Sequence, residues 1–274
     1  MKSRRREKEN INDLSVLAKK LIEEKIKFCS LEAIVKSEII IKNMIYRYLN
    51  ENNVLNINKM KKLLNMEKTG YGKGLIIQGI LNNYECSMDE VDSYLLNKNT
   101  IVRFKALEYK YRKIKTSWLG LELMLMDKSK KIRDNVSFIL RQNTDFNVLD
   151  YYKNQLKENK NLVAILDIAE HGSSKDIELI LPYLKSENDI IVKKALKAYG
   201  MLMTYNGSEL YWEYLFKPSA LVWKEAYRQI KKYNVHYGGG RLFEAYKKHY
   251  DLPVAQNLVL LLLNEGVWSN LKHL

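Results

Sequence analysis

The sequence predicts an all-α fold made of stacked two-helix repeats, and two periodic series predict it. The first is carried by Asn99 to Lys113, NTIVRFKALEYKYRK. With Val102 as anchor, Asn99 stands three residues before it, Arg103 follows it, and Ala106 lies four after it. Steps of about 30 residues, a period found in helical-repeat arrays, give Ser129, Ile132, Arg133 and Val136, then Asn159, Leu162 and Leu166. Further steps give Asp189, Val192, Lys193 and Leu196, then Ser219, Val222 and Ala226. One step back gives Thr69, Gly72, Lys73 and Ile76. A spacing of 32 adds Ser37, Ile40 and Met44 in front and Asp251, Val254 and Leu258 behind, for eight units.

Each element follows from the residues at these positions. The residue three before the anchor is Ser, Thr, Asn or Asp, whose side chain accepts a hydrogen bond from the free N–H groups of a helix start. The apolar residue four after the anchor places both on one buried stripe. The second series, Val91, Leu121, Tyr151, Leu181 and Tyr211, keeps the same spacing and has apolar partners such as Leu95, Leu125 and Leu215. It supplies a second helix per unit. Such a pair buries its apolar faces only by stacking on its neighbours.

The pairs Val102-Arg103 and Val192-Lys193, with the small residues Ala106, Ala195 and Ala226, resemble the short bacterial form of the HEAT repeat, over roughly residues 37 to 266. The resemblance implies a right-handed α-solenoid of about eight two-helix HEAT-like repeats. It also implies a scaffold that binds partners along a curved surface, enzymes being a minority. The expected organisation is a basic tail and capping helix over 1–30 and a repeat array over 31–274.

Composition bounds the function. The formal net charge is +14, which suits an acidic protein, nucleic acid or an anionic membrane surface, or else a lysine-rich solvated exterior. Cys29 and Cys86 make neither a disulfide framework nor a metal motif, so a reducing, cytoplasmic setting is expected. No apolar run reaches the length of a membrane span. The start, MKSRRREKEN, does not lead into the apolar region of a signal peptide. It reads as a solubilising tail, an arm for an acidic partner, or the cytoplasmic flank of a membrane helix encoded upstream, which would hold the protein beside the membrane.

Along the chain, Asn12 to Phe28 is an amphipathic capping helix bearing Leu14, Leu17, Leu21 and Ile22. Thr69 to Gly79, TGYGKGLIIQG, has the glycines of a phosphate loop, but it follows a predicted helix and lacks Gly-Lys-Ser/Thr, so close helix packing is the better reading. Lys98 to Arg141 holds twelve Lys/Arg against four acids. Lys73, Arg103, Arg133 and Lys193 follow their anchors and would line up in a stack, while Trp223 takes that place further on. The ladder is either a track for phosphates and acidic side chains or a set of bonds to the neighbouring unit's turn. Tyr211 to Arg228 interleaves six aromatics with Lys217, Lys224 and Arg228, and Lys224, Arg228 and Lys231 share a helix face. The binding residues expected are therefore Lys73, Arg103, Arg133, Lys193, Trp223, Lys224 and Arg228. HYGGGR, His236 to Arg241, reads as a two-residue extension between helices. Val254 to Leu263 reads as a buried last helix, and Val267 to Leu274, with Trp268, as a segment folded over the end.

No catalytic arrangement stands out. Asp167, Glu170 and His171 could exchange protons, yet they equally fit a solvated face at a helix end. His171, His236, His249 and His273 show no metal-ligand spacing, and no cofactor is expected. The leading expectation is a non-catalytic scaffold that presents a basic and aromatic surface to an acidic protein. The alternative is nucleic-acid binding, with the architecture of the HEAT-like DNA alkylation repair glycosylases. Those use tandem tryptophans followed closely by an aspartate, whereas here Trp118 is single and the next aspartate is Asp127. The bilin-lyase branch of short HEAT-like proteins has no specific residue in its favour.

Overall fold

Four of the eight predicted helix starts, Thr69, Asn99, Ser129 and Ser219, stand at the N-caps of helices. In the computed structural model, which describes residues 16, 18–159, 162–203 and 208–264, the described residues form helices and turns and no strand. The tail Met1 to Asn10, the start of the predicted capping helix, and Val267 to Leu274 lie outside the described residues. The chain divides into two compact units, Met1–Thr144 and Asp145–Leu274.

In the first unit, α1 (18–28) and α2 (Leu31–Lys36) precede α3 (Ile39–Asn52), α4 (Ile57–Met66), α5 (Gly70–Asn83), α6 (Met88–Leu95), α7 (Thr100–Ile114) and α8 (Lys130–Asn143). The long helices α3, α5, α7 and α8 pack side by side in that order. The shorter α4 and α6 pack on α5 and α7, and a 3-10 turn, Leu121–Met126, packs on α8. In the second unit, α9 (Val148–Asn159), α10 (Ala164–His171), α11 (Leu181–Leu184), α12 (Asp189–Leu202), α13 (Ser208–Leu215), α14 (Ala220–Lys232), α15 (Gly239–His249) and α16 (Ala255–Asn264) follow. There α10, α12 and α14 pack in succession, with α9, α11 and α13 each against one of them.

Most anchors lie in the core. Val102, Ala106, Ile132, Val136, Val192, Leu196, Val222, Ala226, Val254 and Leu258 are buried. Four details differ from the sequence reading. Ile40 and Met44 are exposed, and Lys42 and Ile45 are the buried residues of this turn instead, Ile41 being exposed as well. Tyr152 rather than Tyr151, and Ile180 and Leu184 rather than Leu181, are the buried residues of the second series. Leu121 is buried as expected, but in a 3-10 turn and not an α-helix. Leu162 precedes α10, whose buried side chains are Ala164, Ile165, Asp167, Ile168 and Ala169. Caps agree at Thr69 and Asn99, whose side chains accept from backbone N–H groups, and move to Asn188 at the start of α12.

A carboxylate in the turn before a helix joins successive long helices. Glu67 accepts from the N–H and hydroxyl of Thr69, both at 2.7 Å, from Lys42 Nζ at 3.0 Å and from the Tyr46 hydroxyl at 2.5 Å. Asp127 does the same further along the chain. It accepts from Ser129 N–H at 2.7 Å, and from Arg103 Nε and Nη2 at 2.7 Å each. Asn97 stands midway between them in sequence and accepts from Asn99 N–H. So the cation on the fourth residue of α3 or α7 reaches the turn that starts the next long helix.

The glycines of α5 serve this packing. A Cβ on Gly72 would lie 2.8 Å from Glu67 Cδ, and one on Gly74 would lie 2.6 Å from Ile101 Cγ2. The anion at this helix start is the chain's own Glu67, only 1% exposed. Close packing, and not a phosphate loop, accounts for TGYGKGLIIQG.

Burial pushes the Glu67 carboxyl upward, but hydrogen bonds from Tyr46, Thr69 and Lys42 outweigh it and hold the group down to about 2, below its ordinary 4.5. The folded state therefore binds fewer protons here than the unfolded chain. This stabilisation is complete above about pH 4.5 and is lost as the pH falls through about 2. Glu67→Gln strands the Lys42 charge and is expected to cost roughly 3 kcal/mol at neutral pH. It should also flatten the loss of stability between pH 4.5 and 2, as read by denaturant titrations at several pH values. An unchanged acid slope would show that another group sets it.

Candidate partner-binding surface

A residue's place along its helix decides whether it joins the fold or faces outward. The fourth residues of α3, α5, α7 and α8 are Lys42, Lys73, Arg103 and Arg133. Three of them turn inward. Lys42 is buried on Glu67. Arg103 holds Asp127 with two bonds and spends Nη1 on the carbonyls of Asn97 and Lys98, at 2.8 and 3.0 Å. Arg133 is buried, and its Nη1 donates to the carbonyl of Asp127 at 2.9 Å. Lys73 is half-buried. Of the two readings of the ladder, bonding to a turn is the one seen at Arg103 and Arg133. The reason is the Asp127 carboxylate, which neutralises Arg103 and binds the start of the next helix in one arrangement.

The outward face is built from the second residue of each helix and those four and seven later, which share one side. On α3 these are Ile40, Met44 and Arg47, and on α5 Tyr71, Leu75 and Gln78. On α7 they are Ile101, Lys105 and Glu108, and on α8 Lys131, Asn135 and Phe138. Ile40 is 69% exposed, Tyr71 50% and Phe138 54%. Contacts run from helix to helix. Arg47 donates to the Tyr71 hydroxyl at 2.6 Å, Gly70 and Gly74 lie against Ile101, and Lys131 Nζ stands 3.7 Å over the Phe104 ring. A small cleft of about 190 Å³ between α5 and α7 is lined by Gln78, Leu81, Asn82, Lys105, Glu108 and Arg112.

Charge on this unit is uneven once its ion pairs are counted. Asp127 pairs with Arg103, Glu108 with Lys105, Asp134 with Lys130 and Asp92 with Lys110. Lys98, Arg112, Lys113, Lys115, Lys128 and Lys131 have no such carboxylate partner among the described residues. Arg112 and Lys131 project from the outward side of α7 and α8 and are exposed.

The second unit repeats the distinction. Trp223 is buried, Lys193 is half-buried, and Lys224 and Arg228 are exposed on α14. Arg228 closes over the buried Glu225, whose other oxygen accepts from Gln229. Ile190 and Leu221, the second residues of α12 and α14, are exposed aliphatics as on α3. The aromatics expected as contacts are mostly used internally. Tyr211, Tyr214 and Trp223 are buried, and Tyr214 donates to the Leu184 carbonyl at 2.8 Å. Trp212 meets Phe216 edge-on and Tyr237 at a tilt, and Arg241 lies 4.2 Å over Trp212 while Glu209 clamps it at 2.7 and 2.8 Å. HYGGGR thus delivers an arginine latch, a role its glycines alone did not signal.

Elsewhere, Asp167 is buried and His171 stacks on Tyr152 with ring centres 5.8 Å apart. A groove of about 1160 Å³ runs between α11–α12 and α13–α14, over Leu184, Val192, Tyr214 and Val222. None of the seven expected binding residues lines it. Among the described residues, no group of three His, Cys, Asp or Glu side chains is placed to hold a metal, and no helix is long and apolar enough to cross a membrane.

Arg103→Ala is expected to destabilise the protein by about 3 kcal/mol, because it leaves Asp127 without its cation. Arg112→Ala and Lys131→Ala should each stay within about 0.5 kcal/mol of the parent. Urea unfolding separates the two classes; equal costs would mean that the outward cations also hold the fold. No family model matches this chain, and no curated protein matches it significantly.

Proposed function

We propose that the chain is a right-handed α-solenoid of HEAT-like repeats and a non-catalytic scaffold that binds an acidic protein through the outward side of its long helices. The observation that carries the reading is the division of cations. Arg103 is consumed by an internal carboxylate, while Arg112 and Lys131 stand exposed without one. Charges of one sign gathered on a surface raise encounter rates with a partner of the opposite sign and select against like-charged ones. The side-by-side order α3, α5, α7, α8 supports the repeat reading.

The protein-partner version is favoured over nucleic acid because the cations share their surface with Ile40 and Met44. Aliphatic side chains offer bases no stacking face and phosphates no donor, whereas Tyr71 and Phe138 on the same face do offer stacking surfaces, and the titration decides between the two.

The test is a titration of the full chain with a labelled glutamate-rich peptide and with single- and double-stranded DNA and RNA of equal charge, across ionic strengths. The peptide should bind more tightly at about 0.15 M salt, a concentration at which screening removes weak surface attraction. Arg112→Glu with Lys131→Glu should weaken the peptide about tenfold or more without changing the unfolding midpoint. Tighter binding of a nucleic acid would replace this reading with the alternative, and binding of neither would end it.

A further inference from the structure

We infer that the outward face of α3, α5, α7 and α8 receives an acidic amphipathic α-helix of the partner. The inference rests on the scaffold reading and specifies the partner's chemistry. The face combines exposed apolar side chains with cations along its length. Its α3–α5 end presents Ile40, Met44 and Tyr71 beside Arg47, and its α7–α8 end presents Arg112 and Lys131 beside Phe138. The contacts already described, Arg47 to Tyr71, Gly74 to Ile101 and Lys131 over Phe104, make it one continuous strip.

A ligand that was only anionic would leave the apolar end wet. One that was only apolar would leave the cations without counter-charges. A helix carrying apolar residues on one edge and carboxylates beside them satisfies both, through anchors at i, i+3, i+4 and i+7. Dimensions agree. Four helices with axes about 9 Å apart span roughly 27 Å, the length of a helix of about 18 residues.

Two synthetic peptides of about 20 residues and identical Glu, Leu and Ala composition test this by fluorescence anisotropy with the full chain. One places Leu at i, i+3, i+4 and i+7; the other scatters Leu around the helix. The patterned peptide is expected to bind about tenfold more tightly. Ile40→Glu with Met44→Glu should bring it to the level of the scattered peptide. Both side chains are exposed, so an unchanged thermal midpoint checks that folding is intact. If the two peptides bind equally and both respond to Lys131→Glu, the scaffold reading stands and the helical partner is overturned. If neither binds, both readings fall. If the chain instead sediments with phosphatidylserine vesicles and Ile40→Glu with Met44→Glu abolishes that while neither peptide binds, the face is a lipid-binding surface and the inference is wrong.

Discussion

The structure depends on a carboxylate set two residues before a helix cap. Glu67 and Asp127 each do two jobs: they accept from the backbone of the next helix start, and they neutralise a cation on the preceding long helix. A group held from both sides cannot shift without leaving a buried charge unpaired, which is far costlier than an ordinary packing adjustment. The pair therefore fixes the offset between successive helices as well as their attraction. Glycine at position 72 leaves room for Glu67, and glycine at position 74 lets α5 approach α7 at Ile101, a junction where Asn97 stands in the carboxylate's place. Alanine there would meet Glu67 or Ile101 at under 3 Å.

A fixed offset has a consequence on the outside. When α3, α5, α7 and α8 start in equivalent registers, their second residues and those four and seven later fall on one side of the layer. Apart from Ile101, which packs against Gly70 and Gly74, and the Arg47–Tyr71 bond, the outward composition can then vary, because the carboxylate joints do not use those positions. It does vary, from Ile40 and Met44 through Tyr71 to Lys131 and Phe138. In the second unit, Ile190 and Leu221 hold the matching second positions on α12 and α14, beside exposed Lys197, Lys224 and Arg228.

Much of this fold was legible in the sequence, and the misses have physical causes. Spacing located the long helices because capping and burial recur together, as at Asn99, Val102 and Ala106. It misplaced the first anchor because Ile39, Ile40 and Ile41 are equally apolar, so periodicity alone cannot choose among them. Lys42 settles the choice, through Glu67. The candidate site was harder. A basic residue after an anchor looks the same whether it faces solvent or a carboxylate, so the sequence alone leaves Arg103 open between a contact and a bond to the neighbouring turn. A signal to the contrary is present in Glu67, Asn97 and Asp127, which are equally spaced and each stand two before a helix cap. The exposure of Ile40 and the arginine latch of Arg241 required coordinates, since both depend on which neighbour arrives.

Charge in this chain therefore has two meanings that a net value of +14 merges. Part of it, Lys42 and Arg103, is cancelled locally and contributes geometry. The remainder, including Arg112 and Lys131, is left over after Asp127, Glu108 and Asp134 have each taken a cation. Of the second kind, Arg112 and Lys131 lie on the face of the first unit that also exposes Ile40 and Met44. Polyanions in general would respond to the first property, while a folded protein segment responds to both. A face that sets cations beside exposed aliphatic carbon is complementary to fewer ligands than either feature alone.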